Sequence, residues 1–274
     1  MTDTALTPVH VQARILTNKS VGAFRHLTLV APGVGDRFRP GNFLAVSVGS
    51  DGARLARRAF WIHRVRPTGG HGLTVEVVVE PTGPGTRWLA RQPADTTLQV
   101  TGPLGRPYAM PKQPVRCLLV GEGHSAAPLF TLAERLRDRD CSVTLLVGAV
   151  DEAHLLSALE ARRVARAVTI VTQDGSVGRR GHVREHVREA LTQSGADVVY
   201  AAGDRDLLHE VAAAAEDAGA WSQVGLETQL ICGTGLCEGC AVPIVGEEGA
   251  PRSVRACFEG PVIRGDRIRW DALP

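Results

Sequence analysis

Short apolar runs alternating with polar positions open the chain: Val9-His10-Val11-Gln12-Ala13-Arg14-Ile15, His26-Leu27-Thr28-Leu29-Val30, Phe43–Val48, Leu73–Val79 and Thr97–Val100. A period of two over roughly four to eight residues, with Gly and Pro between the runs, predicts strands of an antiparallel barrel. Near residue 113 the rhythm changes. Val115–Val120 is a continuous apolar strand ending in Gly-Glu-Gly, and Ala126–Arg137 places Ala126, Leu129, Phe130, Ala133 and Leu136 on one helical face. Ser142–Val147, Ala167–Thr172 and Asp197–Ala202 read as further strands, separated by helical stretches near 152–164, 181–193 and 205–218. Strand-helix alternation of this kind predicts a doubly wound parallel sheet. The expected division is a barrel over 1–112, a nucleotide-type α/β domain over 113–221 and a small cysteine-bearing segment over 222–274.

Composition narrows the classes. With 274 residues, 44% hydrophobic and 22% charged, the chain has the balance of an ordinary globular protein with more than one core. A net charge of +2 with dispersed arginines argues against a nucleic-acid partner. Met1–His10 lacks a basic-then-apolar leader, and no apolar run approaches the roughly 18 residues of a membrane helix, so the expectation is a cytoplasmic protein with no membrane partner. Aromatic residues are scarce at 4%, which makes the four tryptophans candidates for contact with a planar cofactor as well as for packing.

The strongest chemical signal lies near the C-terminus, where four cysteines fall as Cys232-x4-Cys237-x2-Cys240-x16-Cys257. Three from one loop and a lone fourth match the plant-type 2Fe-2S spacing. Gly233, Gly235 and Gly239 free the backbone to wrap an inorganic core and aim N–H groups at its sulfides. A structural zinc site is the competing reading, although zinc usually takes two Cys-x2-4-Cys knuckles. Disulfides fit poorly with a chain lacking secretory features. Cys117 and Cys141 sit in apolar stretches and read as buried strand residues.

The order of further motifs resembles the ferredoxin-reductase superfamily, and within it the electron-transfer subunits of NAD-dependent, class 1B dihydroorotate dehydrogenases. Pro40-Gly41-Asn42-Phe43 resembles the PGQF turn, Arg57-Arg58-Ala59-Phe60-Trp61-Ile62 the RRPxSI flavin motif, Gly83–Leu89 the GKGTxxL segment and Gly102-Pro103-Leu104-Gly105 the GPLG that follows. Val120–Leu129 resembles GGGxGxAPL, Thr172–Gly181 resembles TxDGSxGxxG, and Glu227 with the four cysteines follows the cluster-binding pattern, Leu230 replacing its Met. The resemblance implies FAD on the barrel, held by Arg58, Ala59, Phe60, Trp61, Gly85 and Thr86. It implies NAD(H) at Gly121 and Gly123, and a 2Fe-2S cluster on Cys232, Cys237, Cys240 and Cys257. It further implies an FMN-containing dihydroorotate dehydrogenase catalytic subunit as partner, in a heterotetramer, and a part in forming orotate from dihydroorotate. Related subunits serve hydrogenases, sulfur reductases and transhydrogenases, and a subunit that keeps the cluster but has lost flavin or nicotinamide binding is the non-catalytic alternative.

The residues support these roles unevenly. Arg58 offers a fixed guanidinium fork for a diphosphate. Gly85 and Thr86 offer N–H groups and a hydroxyl, or form a plain turn in which Thr86 caps a helix over 87–90. Trp61 stands where the family has Ser or Thr and offers no hydroxyl to a flavin edge. Glu122 and Ser125 replace glycines, and a carboxylate at a phosphate loop repels its ligand unless turned away. Ala202 stands where related reductases carry the thiol of Cys-Gly-Pro, and Asp204 is expected to cap the next helix.

Overall fold

The computed structural model describes residues 7–49, 57–246 and 248–273; Met1–Leu6, part of the leader-free reading, lie outside them. Six strands close the expected barrel: β1 (Val9–Val21), β2 (Phe24–Val30), β3 (Phe43–Val46), β4 (Arg58–Pro67), β5 (Leu73–Val79) and β6 (Thr97–Leu104), paired antiparallel in the order β1-β2-β5-β4-β3-β6. Alternation does the work, since inward Ala13, Ile15, Leu27, Leu29, Leu44, Ile62, Val75 and Val77 are all fully buried. β4 has no clean alternation in sequence because both of its faces are covered. Ile62 points into the barrel, while His63 and Arg64, only 1% and 5% exposed, lie at the seam with the second domain.

That domain is a seven-stranded sheet in the order β10-β9-β8-β7-β11-β12-β15. Strands β7 (Arg116–Glu122), β8 (Ser142–Ala149), β9 (Ala167–Thr172), β10 (Arg179–Arg180), β11 (Val198–Gly203) and β12 (Trp221–Leu226) run parallel, and β15 (Val262–Arg264) returns antiparallel on β12. Strand order reverses between β7 and β11, so the loops after them open at a topological switch point. Helix α1 (Pro84–Ala90) belongs to the barrel; α2 (Ala127–Arg137), α3 (Ala158–Val164), α4 (Val187–Ser194) and α5 (Arg205–Asp217) pack around the sheet. The expected helix near 152–164 is split. Asp151 caps a single 3-10 turn by accepting from the His154 N–H at 2.9 Å, and Ser157 then turns to φ 40° before α3 begins.

The seam between the domains is polar and specific. His63 Nδ1–H donates to the Ala127 carbonyl at 2.8 Å, Thr131 Oγ1 donates to the His63 carbonyl, and buried Arg64 pairs with Glu134 and Glu160. Phe43, Trp61, Val78 and Leu104 on the barrel belong to one apolar cluster with the nucleotide sheet. The last segment adds a hairpin, β13 (Ala241–Val245) with β14 (Pro251–Arg255), and a one-turn helix α6 (Ala256–Glu259). Cys117 and Cys141 are buried, as their apolar neighbours suggest, and burial, with the Cys141 thiol beside it, pushes the Cys117 thiol up to about 12.

Candidate functional site

The cysteine loop forms between β12 and β13. Gly233 and Gly235 adopt φ of 71° and 84°, and Glu238 takes 55°, so three left-handed turns fold ten residues into a cup. A Cβ on Gly235 would press the Phe258 side chain at 3.2–3.5 Å, and one on Gly233 would meet Ala45 at 3.4 Å, which fixes the cup against the barrel and against α6. The Ala256 N–H donates to the Cys240 carbonyl at 2.9 Å, drawing the lone fourth cysteine to the loop.

All four thiols are free, and the Sγ atoms of Cys240 and Cys257 stand 3.4 Å apart, well beyond the roughly 2.05 Å of a disulfide. Burial opposes ionisation of Cys232, but donors from Thr234 and Cys237, including the Thr234 N–H at 3.4 Å, outweigh it and hold the thiol down at about 5. Burial, with Cys240 beside it, instead pushes Cys257 up to about 12. One thiol held low and two buried thiols in contact suit a cationic iron core, whose binding expels the remaining protons. The residues present fit a 2Fe-2S cluster.

A second site lies where the three parts of the chain meet. Ala59, Phe60 and Trp61 of β4, Val78 of β5, Thr86 of α1, His124, and Leu226, Glu227 and Thr228 after β12 surround a cleft of about 190 Å³. Of the residues expected to hold FAD, four line this cleft and the other two meet beside it. A Cβ on Gly85 would lie 2.8 Å from Arg58 Nε, so the guanidinium packs directly over the bare backbone of α1. Thr86 is not the cap of that helix. It is the third residue, and its hydroxyl reaches back to accept the Gly83 N–H at 3.0 Å, leaving Gly83 as the cap.

Trp61 takes a fixed place. Its indole N–H donates to Glu227 Oε1 at 2.8 Å, and its ring packs on Gly225, where a Cβ would come within 3.2 Å. Thr228 Oγ1 is buried with no hydrogen-bond partner and lines both the cleft and an adjoining cavity of about 790 Å³. An orphaned hydroxyl and a planar aromatic wall fit a planar heterocycle with polar edges.

The adjoining cavity is lined by Glu122, Gly123 and Ser125 at the end of β7 and beyond, Gly203 and Asp204 at the end of β11 and beyond, and Cys240 and Ala241 of the cluster segment. Gly121 does not line it. A Cβ there would lie 2.6 Å from that of Ala126, so this glycine lets the strand and the start of the helix close up. Asp204 caps α5 by accepting from the Leu207 N–H at 2.8 Å. Burial, then the Asp204 charge, raises the Glu122 carboxyl above its usual range.

Three cleft residues escaped the sequence motifs. His124 Nδ1 meets Glu80 Oε2 at 2.8 Å and its Nε2 faces Glu227 Oε2 at 3.6 Å. His124 occupies a variable position of the glycine loop, Glu80 merely follows a strand, and the orphaned hydroxyl of Thr228 carries no signature at all. Only their convergence marks them.

This is a ferredoxin-reductase-type barrel and doubly wound sheet carrying a four-cysteine cluster loop. Residues 227–269 match the iron-sulfur cluster binding domain of dihydroorotate dehydrogenase B. The electron transfer subunit of dihydroorotate dehydrogenase B (NAD(+)) from Desulforamulus reducens is 33% identical over 88% of this chain and 90% of its own length. That of Bacillus caldolyticus is 30% identical over 88% and 91%. A structure of the NADH-dependent reduced ferredoxin-NADP oxidoreductase, described in terms of flavin-based electron bifurcation, superposes with a TM-score of 0.81 at 27% identity, covering 100% of this chain and 93% of that one. The chain belongs to the family of dihydroorotate dehydrogenase B electron transfer subunits.

Proposed function

We propose that this chain is a cytoplasmic electron-transfer subunit, linking NAD(H) to a catalytic partner through FAD and a 2Fe-2S cluster in the conversion of dihydroorotate to orotate. The observation that carries the reading is the convergence of barrel, nucleotide loop and cysteine segment on one cleft, with Trp61, Thr86, His124, Glu227 and Thr228 in its wall. A flavin there supplies the exchange between a two-electron hydride and single electrons.

The chain's own residues bind and orient. Arg58, packed over Gly85, is placed to grip a diphosphate, with the Gly85 and Thr86 N–H groups in the first helical turn lacking carbonyl partners within the helix. Trp61, held by Glu227, presents a flat wall in place of a hydroxyl. The Gly123 side of the adjoining cavity takes the nicotinamide nucleotide, and Cys232, Cys237, Cys240 and Cys257 hold the cluster. No helix among the described residues is long and apolar enough to cross a membrane. Ile231, Leu236 and Phe258 are exposed at 54%, 85% and 58% around the cluster loop, an apolar rim suited to the FMN-containing catalytic subunit of a heterotetramer.

Purification from the native host, with FAD, iron and sulfide measured per chain and the co-purifying protein identified, tests the reading. One FAD and two irons per chain together with a dihydroorotate-oxidising partner are expected. A chain without releasable FAD would overturn the relay. The likeness over the full chain to the bifurcating oxidoreductase favours a second reading in which the same relay serves another redox partner, and the identity of the co-purifying protein separates the two.

A further inference from the structure

From the wall of the cleft a line of acids and imidazoles runs towards the surface. Glu227 Oε1 accepts the Trp61 N–H, and its other oxygen faces His124 Nε2 at 3.6 Å. His124 Nδ1 meets Glu80 Oε2 at 2.8 Å; Glu80 Oε1 faces His154 Nε2 at 3.8 Å; His154 Nδ1 meets Asp151 Oδ1 at 2.7 Å. Each imidazole thus lies between two carboxylates, and both Glu227 and Glu80 spend one oxygen on each neighbour. Phe24 packs against both rings, with centroids at 6.4 and 6.1 Å, and keeps them in line. Glu227, His124 and Glu80 line the cleft, so a molecule filling it covers all three, while Asp151 remains 39% exposed at the far end.

We propose that Glu227, His124, Glu80, His154 and Asp151 form a proton relay between the cleft and solvent; the idea rests on the reading that the cleft holds a flavin. The balance demands such a path. Oxidation of one NADH to NAD+ yields two electrons and one proton. Both electrons leave singly through the cluster, which carries no proton, so one proton must cross the covered cleft for every nicotinamide turned over, outward in this direction and inward in the reverse. An imidazole between two carboxylates does this by taking a proton on one nitrogen and releasing one from the other. Two links are already at hydrogen-bond distance, and a small carboxylate rotation closes the others. Of the other ionisable groups lining the adjoining cavity, Glu122, Asp204 and Arg205 stand on the nucleotide side and Cys240 on the cluster segment, off this line.

The test follows the proton directly in the holo-subunit. With NADH and excess oxidised cytochrome c, a one-electron acceptor that drains the cluster without taking up protons, mixed in under stopped flow, a pH-indicator dye records proton release while the cytochrome absorbance records electron exit. In His154→Gln, which lies outside the cleft and leaves FAD content intact, release slows by roughly a hundredfold, the low end for positioned proton transfer. Added imidazole restores the rate in His154→Ala. Asp151→Asn, at the exposed end, slows release in the same sense and serves if the histidine variants do not fold. Independently of turnover, ring-nitrogen shifts in the flavin-free chain show His124 and His154 both responding to Glu80→Gln. Proton release as fast in His154→Gln as in the parent, or histidines that respond singly, would overturn the relay. Absent FAD would count against the flavin reading, whereas uncoupled histidines with FAD bound count against the relay alone.

Discussion

Replacing Gly85 by Ala should strengthen the fold locally while weakening FAD binding. The position is helical, and Gly85 is not among the residues with positive φ, so an alanine there suits the backbone and favours α1 by up to roughly 0.5–1 kcal/mol. The new methyl would sit 2.8 Å from Arg58 Nε and 3.1 Å from Val48 Cγ2. Arg58 Nε is the far end of a long side chain and turns aside more cheaply than backbone would, but the guanidinium then leaves the place from which we propose it grips a diphosphate. Losing one charged hydrogen-bonding group costs about 1.5–3 kcal/mol, or roughly a ten- to hundredfold rise in Kd. Fluorescence titration of the deflavinated chain with FAD reads the affinity, and urea unfolding of the same sample reads the stability. Because the effect runs through Arg58, Gly85→Ala should add almost nothing in an Arg58→Gln background. An unchanged Kd for Gly85→Ala, or the same loss with and without Arg58, would refute the pairing.

Three other outcomes are expected. Serine at Cys232, Cys237, Cys240 or Cys257 should abolish or shift the visible cluster absorption, whereas Cys117→Ser and Cys141→Ser should leave it intact; loss on changing Cys117 would redraw the site. Burial followed by Asp204 raises the Glu122 carboxyl, so its neutral form prevails to higher pH than an ordinary glutamate's. NAD(H) affinity should therefore fall as pH rises from the usual carboxylate value through that raised one, with the stability of the fold falling over the same window; Glu122→Gln should remove the step and tighten binding by about 1 kcal/mol at neutral pH, as isothermal titration would record. Gly225→Ala would set a methyl 2.6 Å from Tyr108 Oη and 3.2 Å from Trp61, and should cost about 1–3 kcal/mol in urea unfolding; a neutral change would show that the Trp61 wall is loose.

Much of this architecture is legible along the chain because its signals are local. Barrel strands alternate, β7 to β9 are apolar runs, and the cluster ligands share one glycine-padded loop with Cys257 close behind. What is not legible depends on contacts between distant segments. β4 hides as a strand because His63 and Arg64 face another domain instead of solvent. The stretch near 152–164 has helical composition, but the Asp151 cap and the turn at Ser157 divide it. Thr86 looks like a cap until the backbone shows Gly83 in that place. Trp61 is a departure from the flavin motif in sequence, and only the fold supplies its partner, Glu227, from the cysteine segment. His124 and Glu80 belong to different domains, and no spacing rule links them.

The electron path itself can be watched in one anaerobic experiment. NADH added to the purified subunit should bleach the flavin bands and the broad cluster shoulder together, with the reduced-cluster electron paramagnetic resonance signal saturating at about three NADH for every two chains, two taken by their flavins and one by their clusters. Flavin bleaching that leaves the cluster oxidised, or a cluster that answers dithionite but never NADH, would contradict a relay running from nicotinamide through the cleft to the cysteine loop.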